Sequence, residues 1–203
     1  MEVVAVIDFE TTGLSPAQGD RATEIAAVIV EDGRIVDRYQ SLMNTGVRIP
    51  AFIEALTGIS NTMIRQAPPA AEVMHAVADF VGDYPLVAHN AAFDCKFWDA
   101  ELGRIERKRQ QHFVCSLLLS RRIFPLAPSH KLGALVEYAQ LPFAGRYHRA
   151  LADAEMAASL LTRLEAELRG RHRVADVSVD LLRRIQGAPK SQLEKCLAGR
   201  TRA

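Results

Sequence analysis

The sequence predicts an α/β domain on a mixed sheet: an antiparallel three-strand meander, then parallel strands alternating with helices that flank the sheet. Three observations predict it. Residues 3–7 (Val-Val-Ala-Val-Ile) form an apolar run rich in β-branched residues, the pattern of a strand buried on both faces. Asp32-Gly33 lies between two further strand-like segments, and Asp-Gly is a strong hairpin-turn signal. From residue 70 onward, stretches with helical spacing alternate with short apolar runs, which places helices against the sheet.

The elements follow in order. The first strand covers 3–7 and ends at Asp8, with turn signals at Gly13 and Pro16. Residues 24–30 read as the second strand and 34–42 as the third, where Ile35, Arg38, Tyr39 and Leu42 alternate imperfectly. A short helix over 50–56 halts near Gly58. The spacing of Val73, Val77, Phe80 and Val81 predicts a helix over 70–81. A short strand over 85–88 ends at His89-Asn90, and 91–102 continues as a helix. Residues 113–115 suggest a fifth strand, followed by short helices over 116–123 and 131–138. Leu151, Met156, Leu160, Leu161 and Leu164 give a long helix over 151–168 its apolar face.

Length and composition bound the function. The chain has 203 residues, 49% hydrophobic and 24% charged, ordinary for one globular domain with a short appendage. No apolar stretch approaches the ~18 residues of a membrane span. The N-terminus has no basic start or cleavage site of a secretion signal. A cytoplasmic location and no membrane partner are expected. Cys95, Cys115 and Cys196 are odd in number, widely spaced and without a Cys-x-x-Cys pair. That argues against a disulfide framework and a structural zinc site, and for reduced thiols, mostly buried. The formal net charge of +1 is unevenly spread. Residues 1–168 hold 16 Lys/Arg against 21 Asp/Glu, and residues 169–203 hold nine against three. The composition shift near Gly170 marks a boundary between a domain over 1–168 and a basic C-terminal extension over 169–203.

Four acids stand out by position. Asp8 and Glu10 close the first strand two residues apart, so their side chains share a face. Two carboxylates there repel unless a cation lies between them, and Mg²⁺ or Mn²⁺ takes such oxygen ligands. Two unrelated acids at a solvated strand end explain the pair equally well. Asp94 and Asp153 each fall in the first turn of a helix, where acids commonly complement the helix dipole. His148 alone would be an ordinary loop histidine.

The combination is more specific. Asp8-Phe9-Glu10-Thr11-Thr12-Gly13, His89-Asn90-Ala91-Ala92-Phe93-Asp94 and His148-Arg149-Ala150-Leu151-Ala152-Asp153 occur in that order, with Leu56-Thr57-Gly58-Ile59 between the first two. Over residues 1–168 the chain resembles the DnaQ-like DEDD exonuclease family. The resemblance implies an RNase H-like fold and a metal site of Asp8, Glu10, Asp94 and Asp153. It implies that Asp8, Glu10 and Asp153 hold one ion, that Asp8 bridges to a second, and that Asp94 acts largely through water. Two cations about 4 Å apart stabilise both the attacking and leaving oxygens of an in-line phosphodiester displacement.

His148 lies five residues before Asp153, the spacing of the histidine branch, DEDDh. The tyrosine branch would need Tyr at 149, where Arg149 stands; Tyr147 is out of register. An imidazole can take the proton of an attacking water near neutral pH, so His148 is the candidate general base. His89 is expected to pack or hydrogen-bond around its loop, and Asn90 to orient that loop or Asp94. Gly13 can adopt positive φ and let backbone approach a ligand, or it simply makes a tight strand exit. The resemblance implies that backbone of Thr11, Thr12 and Gly13 contacts the 3′-terminal nucleotide and that Leu14 wedges against its base. It implies that Thr57 and Phe93 line the same pocket. Contacts to sugar, phosphate and base faces predict little sequence preference.

The extension carries Val179, Leu182, Leu193 and Leu197 around Gly187-Ala188-Pro189, suited to short amphipathic helices. It could dock on the domain, support a second subunit, or contact nucleic acid or a protein partner such as a polymerase. The expected function is a 3′–5′ exonuclease with two divalent ions, Mg²⁺ or Mn²⁺. It would act on a free, single-stranded or frayed 3′ end and release nucleoside 5′-monophosphates. The first motif leans toward the proofreading type, hence DNA; the alternatives are RNA trimming or a scaffold of the same fold that has lost catalysis.

Overall fold

The computed structural model describes residues 2–142 and 148–198. The meander is β1 (Val4–Thr11), β2 (Ala22–Glu31) and β3 (Arg34–Leu42). Asp32 and Gly33 both take positive φ, 49° and 72°, as a two-residue turn matched to strand twist requires. Then come α1 (Ala51–Thr57), α2 (Asn61–Gln66), α3 (Ala70–Val81), β4 (Leu86–Ala88), α4 (Ala92–Arg104), β5 (Phe113–Cys115), α5 (Ser116–Ile123), α6 (Leu132–Tyr138) and α7 (Ala150–Gly170). The extension forms α8 (Val179–Gly187) and α9 (Leu193–Ala198). The sheet order is β3-β2-β1-β4-β5. β1 pairs antiparallel with β2 and parallel with β4, and β4 pairs parallel with β5. This is the mixed, helix-flanked sheet that the sequence predicts, and its architecture is RNase H-like.

Alternation along the central strands builds two apolar layers. Val4 and Val6 of β1, with Ala26, Val28 and Val30 of β2, face α5, α7 and α8. Ala5, Ile7 and Phe9, with Ile25, Ala27 and Ile29, face α3 and α4. Even-numbered β1 positions therefore point to the α7 side, which puts Asp8 and Glu10 toward the helix that carries Asp153.

Two element readings change. β1 continues to Thr11 rather than ending at Asp8, because β2 pairs with it that far, Asp8 opposite Ala26 and Glu10 opposite Glu24. The acids are thus inside the strand, not on its exit. α2 was not expected from the sequence; it is a six-residue helix whose start is capped by Ser60 accepting from Met63 N–H.

The extension packs against the body. Val177, Leu181, Leu182 and Ile185 join the same apolar layer as β1 and α7. Gln186 pairs with the free edge of β5: Cys115 N–H donates to its Oε1 at 2.7 Å, and its Nε2 donates to Phe113 O at 3.2 Å. Arg122 donates to Ala188 O. Cys95, Cys115 and Cys196 are free thiols, one buried and two half-buried. Among the described residues, no helix is long and apolar enough to cross a membrane.

Candidate metal centre

Asp8, Glu10 and Asp153 each present a carboxylate oxygen, all within 4.8 Å of one another. Two oxygens on opposite sides of one Mg²⁺ lie about 4.2 Å apart, so the trio suits a small hard cation after a slight contraction. Asp94 reaches the same place from the other face of the sheet. β4 pairs only with Ala5 and Val6 of β1, so the backbone of β1 beyond them has no strand on that side. Phe9 N–H there donates to Asp94 Oδ1 at 3.3 Å, and Asp94 is almost fully buried. Asp94 therefore completes the acidic group without belonging to the tight trio.

The electrostatics fit a cation. Burial is the first cause of a raised pKa at all four acids, and neighbouring carboxylates add to it at Asp8 and Glu10. Asp8 is raised well above the usual range, with Asp94 and Asp153 its strongest neighbours. Glu10 rises to about 8, partly offset by Arg149. Asp94 rises to about 7 against the pull of two backbone N–H groups. Burial also raises Asp153, while His148 and the N–H groups beside it pull it down. Carboxylates crowded and buried in this way hold protons unless a cation supplies the missing charge.

The start of α7 is held by two carboxylates. Asp153 Oδ2 accepts from the N–H groups of His148 and Arg149 at 2.9 and 3.2 Å. His148 sits at φ 62° with an exposed side chain, immediately beside the cluster. Tyr147 lies outside the described residues.

Sequence reasoning missed Glu24. It is 1% exposed and faces Glu10 across the β1–β2 pair, where like charges would destabilise the sheet. Arg149 offsets it with a forked contact, Nε to Oε2 at 3.2 Å and Nη2 to Oε1 at 2.8 Å. Glu24 also accepts from Ala150 N–H at 3.0 Å and from Gln40 Nε2 at 2.7 Å. It thus ties β2 to the first turn of α7, which carries Asp153. A second forked pair, Arg21 to Glu101 at 2.7 and 2.8 Å, ties the start of β2 to α4, which carries Asp94. These partners are 125 and 80 residues apart, so no local pattern announces them.

Of the remaining expected residues, Thr11 to Leu14 lie at or just past the end of β1. Thr11 Oγ1 donates to Gly13 O, and Thr12 joins Arg21 through both backbone and side chain. Gly13 does not use positive φ. Its lack of a side chain matters for another reason: a Cβ there would land on the Asp20 carboxylate, which holds the loop through Thr12 Oγ1 and Ser15 N–H. Leu14 is 75% exposed. Lys96 donates to its carbonyl and lies 5.1 Å from the Phe93 ring centre, linking the two residues expected at the terminal base. Thr57 is buried, its hydroxyl donating to Ile53 O and accepting from Ile59 N–H. Asn90 is exposed at φ 69°, and its carbonyl accepts from Phe93 N–H at the start of α4. His89 bridges Ser116 Oγ at 2.9 Å and His130 O at 3.0 Å, and burial lowers its pKa to about 4. It is a neutral brace, in keeping with its expected role around the loop.

Comparison with known proteins shows the family. The chain is 39% identical over 165 residues to the 3′-5′ exonuclease DinG of Bacillus subtilis, covering 81% of this chain and 18% of that protein. It is 36% identical over 164 residues to the PolC-type DNA polymerase III of Bacillus cereus, covering 80% of this chain and 11% of that one. The chain therefore spans less than a fifth of either relative. Among solved structures, exonuclease X in complex with 5′-overhanging duplex DNA superposes with a TM-score of 0.72 at 26% identity, covering 91% of this chain and 99% of that one. Escherichia coli exonuclease I with a dT13 oligonucleotide gives 0.73 at 15% identity over 85% of this chain and 43% of that one, a likeness of fold. A family model described as exonuclease, RNase T type, matches residues 5–161. With a match running from β1 into α7 and taking in every acid of the cluster, the chain belongs to that exonuclease family.

Proposed function

We propose that this chain is a metal-dependent 3′–5′ exonuclease acting on DNA, releasing nucleoside 5′-monophosphates from a single-stranded or frayed 3′ end. The observation that carries the reading is the oxygen trio of Asp8, Glu10 and Asp153 within 4.8 Å, with Asp94 behind it. These four residues would hold two divalent ions, Mg²⁺ or Mn²⁺. When bound, such ions stabilise charge on the attacking and leaving oxygens of a phosphodiester. His148, exposed beside Asp153, takes the proton of the attacking water. Backbone of Thr11, Thr12 and Gly13 meets the terminal sugar and phosphate. Leu14 and Phe93 flank its base, with Thr57 and Asn90 bracing the walls. Polymerase III and duplex DNA in the names of relatives and of the exonuclease X complex support DNA over RNA.

Initial rates on single-stranded DNA, mismatched duplex DNA and RNA, each with Mg²⁺ or Mn²⁺, test the reading. Faster digestion of the DNA substrates is expected. Faster digestion of RNA would reassign the substrate, and no digestion of any of them would remove the activity.

A further inference from the structure

An open groove of about 880 Å³ reaches from His89 and Asn90, just past β4, to Lys190 of the extension, and none of the four acids lines it. Its walls hold Arg121 from α5, His130 and Lys131 from the loop before α6, and Lys190 from the extension; His89 and Ser129 also line it. Among the described residues, no acid lines the groove, and none of the three Arg and Lys cations forms an ion pair. Lys131 and Lys190 are exposed. In a body whose first 168 residues are net acidic, three unmatched cations around one groove form a local anion-attracting field.

The sheet explains where the groove is. β1, β4 and β5 run parallel, so their carboxyl ends lie on the same side. Asp8 and Glu10 lie in the second half of β1, His89 follows β4, and α5 follows β5 directly. Val114 of β5 is level with Val6 of β1 through Val87 of β4, so two strand spacings put it about 10 Å from Val6, with Asp8 two residues further along β1. That separation is about three nucleotides at the ~3.4 Å rise of a duplex strand.

Lys190 is held there by the docked extension. Gln186 hydrogen-bonds the edge of β5, and Arg122 of α5 binds Ala188 O two residues before Lys190.

We infer that the groove bounded by Arg121, Lys131 and Lys190 binds phosphodiesters of the substrate nucleic acid a few nucleotides away from the cleaved end, and that the C-terminal extension supplies one of its three cations. The inference rests on the nuclease reading for the identity of the ligand. Two strands could provide the phosphates: the cleaved strand itself or the strand paired with it. Cations on phosphates fix register without reading bases, so the groove adds affinity and no sequence preference.

Fluorescence anisotropy in EDTA separates binding from hydrolysis. The probes are a short single-stranded oligonucleotide and a duplex of the same sequence. The proteins are wild type, K131Q/K190Q, R121Q and the charge-keeping K131R/K190R. The glutamine variants should bind several-fold more weakly on every sequence. On the single strand, the slope of log affinity against log salt should fall by about 0.7 for each phosphate that is no longer neutralised. K131R/K190R should bind as wild type does, and all variants should hydrolyse a dinucleotide at the wild-type rate. Weakening on the single strand identifies the cleaved strand in the groove. Weakening on the duplex alone identifies its partner. Unchanged affinity and salt slope on both probes, or equal weakening in K131R/K190R, would overturn the inference. Failure of the wild type to hydrolyse a dinucleotide counts against the nuclease reading, while the anisotropy still decides the groove.

Discussion

At the residue scale the cluster opposes folding and favours a cation. Asp8 is packed among Glu10, Asp94, Asp153 and Glu24, all of which raise its pKa after burial. Asp8→Asn keeps the shape and removes one charge. In EDTA at pH 8 it should raise Tm, by roughly 2–4 °C per kcal/mol relieved, as seen by differential scanning fluorimetry. Asp8→Ala and Asp153→Ala should both cut Mn²⁺-dependent digestion by about 10³-fold or more, the scale of several kcal/mol of charge stabilisation. A gain in stability with a loss of activity is what a functional site built from repulsion predicts. A lower Tm for Asp8→Asn would mean that the carboxylate has a structural role. His148→Ala should lower kcat by about 10²–10⁴ and leave oligonucleotide binding near wild type. If anisotropy shows that only binding suffers, the general-base role is wrong.

At the element scale the site depends on how β2 holds two helices. Glu24 joins β2 to the start of α7, and the Arg21–Glu101 pair joins it to α4. Removing Glu24 leaves Arg149, itself a third exposed, without its partner, and a lost buried acceptor costs about 1–3 kcal/mol. Glu24→Ala also leaves the Ala150 N–H and Gln40 without their acceptor. Chemical denaturation should show that loss. Glu24→Gln, which keeps an acceptor, should lose less stability. Equal stability of Glu24→Ala and wild type would contradict the clamp.

This scale also shows what could be read in advance. The shared face of Asp8 and Glu10, the Asp32-Gly33 hairpin and the start of α7 follow from period and turn chemistry, which are local. The clamps, the continuation of β1 to Thr11 and the close approach of Asp20 to Gly13 depend on partners brought together by the fold. A basic composition marked the extension, but only the contacts of Gln186 and Arg122 show where it docks.

At the scale of the whole molecule, protons and cations compete for one site. In the folded protein without metal Glu10 holds its proton to about pH 8, against an ordinary value of 4.5 once unfolded. The folded state therefore binds more protons between those values. Its stability is complete below about 4.5 and falls as pH rises toward 8; Asp94, raised to about 7, acts in the same direction. Thermal unfolding in EDTA should show Tm falling over that window. Mn²⁺ should restore it most at the alkaline end, because a ligand of the folded state adds stability in proportion to RT ln(1 + [L]/Kd). A Tm that rises with pH in EDTA would contradict this account of the cluster.

The central claim is that the acids gathered around β1 serve cleavage from the 3′ end. Digestion of single-stranded DNA labelled at its 5′ end, with Mn²⁺ or with EDTA, tests it most directly. The account predicts a ladder of 5′-labelled products shortening with time, nucleoside 5′-monophosphates released, and neither in EDTA nor with Asp8→Ala. Immediate release of the 5′ label, digestion in EDTA, or wild-type digestion by Asp8→Ala would contradict it.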